Sequence, residues 1–284
     1  MQTRSIRKVV TGTTQYDGAG VKLTRVISYP DVKEFDPFLM LDAFDSYDPA
    51  DYIKGFPLHP HRGIETVTYL ISGNIEHKDS LGNKGNIFDG GCQWMTAGGG
   101  ILHEEMPQVS DRMLGVQLWL NLPRKDKMTG PKYRDITSDM VPKIHENGCE
   151  IGVISGNYMG IPGAVQGDYV KMLFLDVHMK AGSKWQFETN KDDTLFIYII
   201  EGEGWFENSY ENLISSKRAV LFNNGEELFS ASSDKRLRFL VFSGAKLEEP
   251  IAWGGPIVMN TQKELKQAFQ DIDDGTFTNK NYHK

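Results

Sequence analysis

Short apolar segments, each bounded by Gly, Asn, Asp or Pro, recur along the chain and constrain its fold more than any other feature. The clearest of them are TVTYLIS at 66–72, LGVQLWLNL at 114–122, VKMLFLDVHM at 170–179, TLFIYII at 194–200 and LRFLVFSG at 237–244. Their length and their β-branched and aromatic content predict strands, and many short strands in succession are typical of a sandwich or barrel. We therefore expect an all-β fold and not a parallel α/β sheet.

One of these strand patterns occurs twice. ETVTYLISGNIEH at 65–77 matches DTLFIYIIEGEGWF at 193–206, because in both an apolar strand ends in a glycine turn. A length of 284 residues also suggests two domains, at about 150 residues each. We predict two tandem barrels that meet near residues 134–143, where KYRDITSDMVPK is polar. The N-terminal barrel would span 1–134 and the C-terminal barrel 135–284.

The tail of the chain has a helical pattern. Thr261 and Glu264 have the spacing of a capping box. The apolar residues that follow recur with helical spacing at Leu265, Ala268, Phe269 and Ile272. The pattern predicts a short C-terminal helix over 262–273, which we expect to dock on the C-terminal barrel.

Composition narrows the expected partners. The formal net charge is −7, so no overall positive field favours direct binding of nucleic acid. The longest apolar run, LFIYII at 195–200, is far too short to span a membrane, and MQTRSIRKVVTGTTQ lacks the apolar core of a signal peptide. Cys92 and Cys149 have no metal or redox spacing and are expected to be ordinary buried thiols. We expect a cytoplasmic monomer.

Two segments, HPHRGIE at 59–65 and GILHEE at 100–105, contain three of the seven histidines. His59 and His61 are two residues apart, as are His103 and Glu105, and residues two apart on a strand point to the same face. If two such strands face each other in a barrel, three imidazoles and one carboxylate meet at one point. An isolated HxH pair is common on surfaces, but this concentration predicts a metal site, since the other histidines (77, 145, 178 and 283) are scattered.

These motifs belong to a longer resemblance. PLHPHRGIETVTYLISGNIEHKDS and QWMTAGGGILHEEMP resemble the signature of the pirin family, within the cupin superfamily. The similarity extends to PFLMLDAF at 37–44, GVQLWLNLPRKDKMTGPKYRDI at 115–136, VISG at 153–156 and GPIVMNT at 255–261. It implies two tandem cupin barrels, with iron bound in the first by His59, His61, His103 and Glu105. The second barrel has GSKWQFETNKDD at 182–193 in place of the HxH motif, so we expect it to be degenerate and structural, or an interaction surface.

One position departs from the wider cupin pattern. In cupins generally the carboxylate ligand lies four residues after the second histidine, which here is Glu65. Pirins instead use the glutamate two residues after the third histidine. We therefore expect Glu105 to be the ligand and Glu65 to be a structural residue or one that supports the site without touching the ion.

The donor set and the resemblance together suggest a chemistry. Three imidazoles and a carboxylate suit Fe(II), Mn(II), Ni(II), Co(II) or Cu(II) better than a closed zinc site, and the resemblance favours iron. It also implies the quercetin 2,3-dioxygenase reaction, in which dioxygen opens a flavonol with loss of carbon monoxide. The 3-hydroxyl or 4-carbonyl of the flavonol would coordinate the ion, and Glu105 would act as the catalytic base.

Several nearby residues have expected supporting roles. We expect Trp94, Met95, Met106 and Phe44 to line an apolar cavity that suits a flat aromatic ligand. Arg62 follows His61 and points to the opposite face of its strand, so we predict that it is a salt-bridge partner. The polar residues Glu76, His77 and Asp79 are predicted to form a solvated strand end.

Two classes of function remain open. The first is the dioxygenase, whose partners would be a small aromatic or flavonol substrate and dioxygen. The second is an iron-binding regulatory protein without robust catalysis, because the pirin family includes transcription coregulators and modulators of metabolic enzymes such as pyruvate dehydrogenase. Such a protein would bind a protein partner. Open coordination positions favour the enzyme, since a regulatory ion does not need them.

Overall fold

The computed structural model describes residues 2–207 and 211–278 and is built mainly from strands. The strands are β1 (Ile6–Thr11), β2 (Thr13–Asp17), β3 (Val21–Ile27), β4 (Phe38–Ser46), β5 (Phe56–His61), β6 (Ile64–Ser72), β7 (Ile75–Asp79), β8 (Lys84–Ile87), β9 (Cys92–Thr96), β10 (Ile101–Pro107), β11 (Met113–Asn121), β12 (Lys132–Ile136), β13 (Lys143–Glu146), β14 (Cys149–Ser155), β15 (Asn157–Tyr158), β16 (Ile161–Pro162), β17 (Met172–Met179), β18 (Ser183–Glu188), β19 (Thr194–Glu201), β20 (Glu203–Gly204), β21 (Ile214–Ser215), β22 (Arg218–Phe222), β23 (Leu228–Ser233), β24 (Leu237–Gly244), β25 (Ala252–Gly254) and β26 (Ile257–Met259). The helices are α1 (Val32–Phe35) and α2 (Gln262–Asp273). The all-β prediction is confirmed.

The chain forms two compact units. The N-terminal unit comprises residues 13–32 and 38–138, together with the described chain from Leu247 onward. The C-terminal unit comprises the described residues up to Gly12, the segment Lys33–Pro37 and the segment Asp139–Lys246. In the part of the chain that the structure describes, no helix is long and apolar enough to cross a membrane.

The N-terminal unit contains a seven-stranded antiparallel sheet, a four-stranded sheet and the hairpin β25–β26. The order in the large sheet is β12-β9-β6-β11-β4-β3-β2, and in the small sheet it is β5-β10-β7-β8. Apolar side chains from both sheets, among them Leu70, Ile75 and Ile87, share one core cluster. Burial of these side chains holds the two sheets face to face.

The C-terminal unit repeats this arrangement. Its large sheet has the order β1-β22-β19-β24-β17-β14-β13, and β18 pairs with β23 in a small sheet. The repeated sequence patterns fall on β6 and β19, and each of these strands is third from the same edge of its sheet. The interior holds the aromatic side chains of Trp185, Phe187, Phe206, Phe229 and Phe239. These close-packed rings fill the space that a site would need.

The two ends of the chain differ from the predicted division at residue 134. The first strand, β1, belongs to the C-terminal unit, because it pairs with β22 from Ile6 to Thr11. The helix α2 begins and ends where predicted, with the capping box of Thr261 and Glu264. It does not dock on the C-terminal barrel, however, and this expectation is wrong. Its buried residues Leu265 and Ala268 pack in the N-terminal unit against an apolar cluster of Ala252, Ile257, Met259 and Phe277.

Candidate metal centre

The pairing of β5 with β10 brings the three predicted histidines together. His59 lies directly opposite His103 in this antiparallel pair, and Ile101 lies opposite His61. The Nε2 atoms of His59 and His61 are 3.0 Å apart. One donor nitrogen from each of the three histidines lies within 4.8 Å of the others. The i, i+2 spacing on a strand therefore does aim the imidazoles at one point.

Backbone carbonyls determine which ring nitrogens face the centre. His59 Nδ1 lies 2.9 Å from the carbonyl oxygen of Pro57, and His61 Nδ1 lies 3.0 Å from that of Pro256. A carbonyl oxygen can only accept, so Nδ1 is the donor in both rings, and in a neutral ring Nε2 then carries the lone pair. Such hydrogen bonds are usual for metal-binding histidines.

Burial keeps the imidazoles of His61 and His103 neutral. It lowers the pKa of His61 to about 3, with a further contribution from His59. It also lowers the pKa of His103 well below its usual range. Both nitrogens of His103 are buried and have no hydrogen-bond partner. Three converging imidazoles, one of them with no hydrogen-bond partner in the protein, are suited to a divalent cation, so the residues fit a bound metal ion.

Glu105 lies next to this group but is not part of it. Among the described residues, the cluster of convergent donor atoms consists of the three histidines. The pairing of β5 with β10 shifts between His103 and Glu105, with the extra residue on β5, and both side chains lie on the buried face of β10. The Glu105 carboxylate accepts hydrogen bonds from Gln117 Nε2 at 2.9 and 3.1 Å and from Thr68 Oγ1 at 3.1 Å. Its role as fourth ligand therefore stays a prediction.

Glu65 points away from the histidines. It lies on β6 between Ile64 and Thr66, and alternate residues of a strand face opposite sides. Thr66 lies opposite Trp119, whose ring is 5.0 Å from that of His61, so the even-numbered residues of β6 face the centre. Glu65 is buried on the other side, where it accepts a 2.6 Å hydrogen bond from Thr96 Oγ1.

His77 is a buried neighbour of the centre, and the prediction that it lies at a solvated strand end is wrong. Its ring is fully buried, 5.3 Å from the His103 ring and stacked 4.4 Å from Tyr133. The Asp79 side chain is also buried, with Oδ2 3.5 Å from His77 Nε2. The alternation of β7 was the missed signal, because Ile75, His77 and Asp79 share one face and Ile75 is apolar.

A cavity of about 550 Å³ opens beside His59 and His61. Its apolar walls are Met40, Phe56, Pro57, Trp119, Trp253 and Pro256, and its polar residues are Asp17, Arg25, Asp42 and Gln117. The predicted wall of Trp94, Met95, Met106 and Phe44 is wrong, because none of these residues lines this cavity. Met95 and Phe44 instead pack in the apolar clusters of the barrel. Local patterns did not predict Trp253, because it comes from the described chain from Leu247 onward, which we call the C-terminal segment.

A polar row crosses the large sheet of the N-terminal unit. We use this name for five cross-strand neighbours on successive strands: Arg25, Asp42, Gln117, Thr68 and Gln93. Arg25 forms a bidentate pair with Asp42, at 2.9 and 2.8 Å. Gln117 and Thr68 bind the Glu105 carboxylate. The row therefore links the candidate ligand to the polar part of the cavity.

The C-terminal segment contributes directly to the centre. Its residue Pro256 binds His61, and its residue Trp253 lies 5.8 Å from Trp119 in the cavity wall. Arg62 anchors the segment through a 2.6 Å ion pair with Asp271 and a stacked contact on the ring of Phe277. The prediction that Arg62 is a salt-bridge partner is confirmed.

A larger open cleft, about 720 Å³, lies in the C-terminal unit. It is lined by a cross-strand row of charged and imidazole side chains, namely His145, Glu150, His178, Arg238 and Glu201. Several of these pair with each other or with Asp176. Because the described residues place a convergent metal-binding group only at His59, His61 and His103, size does not identify this cleft as the reactive site.

Comparison with known proteins identifies the family of this chain. The Pirin family model matches residues 20–120, and the model of the Pirin C-terminal cupin domain matches residues 174–278. A pirin-like protein from Caulobacter vibrioides is 41% identical over 281 residues, which cover 98% of this chain and 100% of the relative. A Pseudomonas aeruginosa protein, provisionally named a quercetin 2,3-dioxygenase, is 42% identical, with 96% of this chain and 97% of the relative covered.

A solved structure extends the similarity to three dimensions. The quercetin 2,3-dioxygenase of Acinetobacter baumannii superposes with a TM-score of 0.88 at 32% identity, and the match covers 97% of this chain and 98% of that one. The two family models together account for most of the sequence, and the fold contains two cupin domains. The chain therefore belongs to the pirin family.

Proposed function

We propose that this protein is a metal-dependent dioxygenase that cleaves flavonols such as quercetin, with the ion bound by His59, His61, His103 and Glu105. One observation carries the proposal: three imidazole nitrogens converge at the edge of a cavity with aromatic walls. The size of the cavity, about 550 Å³, is within the usual range for small-molecule sites. The names of the Pseudomonas and Acinetobacter relatives support the same reaction.

Fe(II) is the ion that we propose, and Mn, Ni, Co or Cu would suit the same nitrogen and oxygen donors. When bound, the ion would act as a Lewis acid toward the 3-hydroxyl and 4-carbonyl of a flavonol and provide open positions for substrate and dioxygen. The contribution of the protein is to keep the imidazoles deprotonated and oriented. Burial keeps His61 and His103 deprotonated, and the carbonyls of Pro57 and Pro256 orient His59 and His61 by accepting from Nδ1.

Glu105 is the proposed base for the 3-hydroxyl proton. Gln117 and Thr68 both donate to its carboxylate and hold it in one orientation. Because Gln117 also lines the cavity, the base lies one side chain away from the space that a substrate would occupy.

Trp119 and Trp253 are the proposed platform for the flat ring system. Their rings are 5.8 Å apart at 33° and both line the cavity. Aromatic faces of this kind bind flat ligands through large apolar contact area. They also exclude water from the reacting atoms, which strengthens electrostatic interactions in the cavity.

The test is anaerobic reconstitution with Fe(II) followed by an oxygen-uptake assay with quercetin, in which carbon monoxide is measured as the second product. We expect oxygen consumption that depends on the bound ion and on the 3-hydroxyl of the substrate. If the fully metallated protein consumes no oxygen with any 3-hydroxyflavone, the regulatory alternative is favoured. Redox-dependent binding of a protein partner would then be the property to measure.

A further inference from the structure

The cavity has two chemically different ends. At one end lie His59 and His61 beside Trp119, and Gln117 on the same strand as Trp119 binds Glu105. At the other end lie Arg25 and Asp42, with Asp17 beside them. In the polar row Arg25 is two strands away from Gln117, which corresponds to about 10 Å at the usual strand spacing. A ligand that reaches from the metal centre along the cavity would therefore bring its far end to this acidic corner.

We use the name acidic corner for Asp17, Arg25 and Asp42. Arg25 Nη2 donates to Asp17 Oδ2 at 2.7 Å, while Nε and Nη2 form the bidentate pair with Asp42. Two carboxylates and one guanidinium give the corner a formal charge of −1 (−2 + 1). Asp42 is buried, and its two oxygens both accept from Arg25. Asp17 is half exposed, so its carboxylate can still meet a ligand.

Asp17 is held in place at the rim of the cavity. Its Oδ1 accepts a 2.7 Å hydrogen bond from the backbone N–H of Gly18. Gly18 has a φ of 57°, and a Cβ at that position would lie 2.6 Å from the Phe56 ring. The turn therefore packs closely against the start of β5. Each carboxylate oxygen of Asp17 keeps a second lone pair, so it is an oriented acceptor with spare capacity.

We propose that Asp17 is a specificity-determining residue that selects flavonols whose ring remote from the metal carries hydroxyl donors, such as the catechol ring of quercetin. This inference rests on the proposed function, because it assumes that the 3-hydroxyl end lies at the metal centre. A catechol hydroxyl would donate a charge-assisted hydrogen bond to Asp17. An unsubstituted ring cannot make this bond, and a carboxylate on the ring would be repelled by the net negative charge of the corner.

Calorimetric titration of the full-length protein with Fe(II) under argon tests this selection without turnover. The matched ligands are quercetin and galangin, which differ only in the catechol hydroxyls of the remote ring. We expect quercetin to bind about tenfold more tightly, as for one hydrogen bond to a charged group. A flavonol with a carboxylate on the remote ring should bind more weakly than galangin.

The variant Asp17→Asn keeps the size of the side chain and removes its charge. We expect the preference for quercetin over galangin to fall from about tenfold to about threefold or less, since a neutral acceptor makes a weaker hydrogen bond. The control is Asp51→Asn, because Asp51 pairs with Lys22 at 3.3 Å and does not line the cavity. It should keep the wild-type ratio.

The outcomes separate this inference from the proposed function. Equal affinity of the wild-type protein for quercetin and galangin would overturn the selection and leave the flavonol site intact. A ratio that survives Asp17→Asn would overturn the role of Asp17. If neither flavonol binds to the wild-type protein, both the selection and the flavonol function are wrong. The wild-type ratio is decisive even if the variant does not fold.

Discussion

The large sheets of the two units have the same order over six strands, but their interiors differ. In the N-terminal unit the polar row crosses β3, β4, β11, β6 and β9. In the C-terminal unit the corresponding strands β14, β17, β24, β19 and β22 carry an apolar row, namely Val153, Leu175, Val241, Ile197 and Val220. The polar row binds the Glu105 carboxylate and lines part of the cavity, whereas the apolar row packs into a closed core. One sheet can therefore support a site or a closed core, depending on the side chains of a single row.

The small sheets differ in the same way. The pair β5–β10 presents His59, His61 and His103 at one point. The pair β18–β23 of the C-terminal unit presents Trp185 and Phe187, with Phe229 directly opposite Phe187. Aromatic rings at these positions supply no metal donors and fill the interior. The difference supports the interpretation that the C-terminal barrel is structural.

The largest expected effect is loss of the metal ion, which should follow substitution in the small sheet of the N-terminal unit and not in the C-terminal unit. We predict one ion per chain in the wild-type protein and none in His61→Ala, because the substitution removes a central donor and the tautomer set by Pro256. The fold should remain, since the apolar clusters that hold the barrel together do not include His61. Elemental analysis and circular dichroism measure the two results. The control His178→Ala, in the C-terminal unit, should keep the ion, and undiminished metal in His61→Ala would contradict the assignment.

The next effect concerns the base. Glu105→Gln should lower kcat about 100-fold or more while it changes flavonol affinity little, because it removes the proton acceptor and leaves the aromatic walls. Stopped-flow turnover and anaerobic titration separate these effects. The neighbouring variant Glu104→Gln is the control, because Glu104 is on the outer face and pairs with Lys78. Flavones without a 3-hydroxyl should bind and not react. Equal losses in kcat and affinity would indicate that Glu105 acts in binding.

Exchanging polarity between the two rows gives an intermediate effect. Leu175→Gln should lower the free energy of unfolding by about 3 kcal/mol, because the amide would be buried in an apolar row without a partner. Gln117→Leu should reduce activity more than stability, since Thr68 still donates to Glu105. Denaturant unfolding of the metal-free variants measures both. Similar destabilisation by the two substitutions would show that the rows are energetically equivalent.

The smallest expected effect distinguishes the two glutamates near the histidines. Glu65→Gln should retain one ion per chain, because Glu65 faces away from the centre and accepts from Thr96. Its metal affinity should fall by no more than about 10–100-fold, as for residues that support a ligand indirectly. Competition with a chelator measures the affinity. Complete loss of metal in this variant, with retention in Glu105→Gln, would identify Glu65 as the ligand.

Much of the fold and part of the site could be predicted from local patterns. The strands β6, β11, β17, β19 and β24 coincide with the apolar segments, because short continuous runs of β-branched and aromatic residues are typical of strands that are buried on both faces. The period of two along a strand places His59 and His61 on one face of β5, and the pairing of β5 with β10 adds His103. The capping box and the helical spacing of the apolar residues identify α2. The alternation of β7 places His77 inside, on the face of Ile75.

The sequence by itself determined which faces are apolar and which strands carry donors, since these depend on residues two or four positions apart. Only the tertiary structure decided that the C-terminal segment brings Trp253 and Pro256 to the metal centre and that Asp17 borders the same cavity. The reason is that such contacts join residues far apart in the chain. The apolar pattern of the C-terminal segment would be the same if it covered either barrel. Which barrel it covers depends on the apolar surface that each barrel leaves exposed.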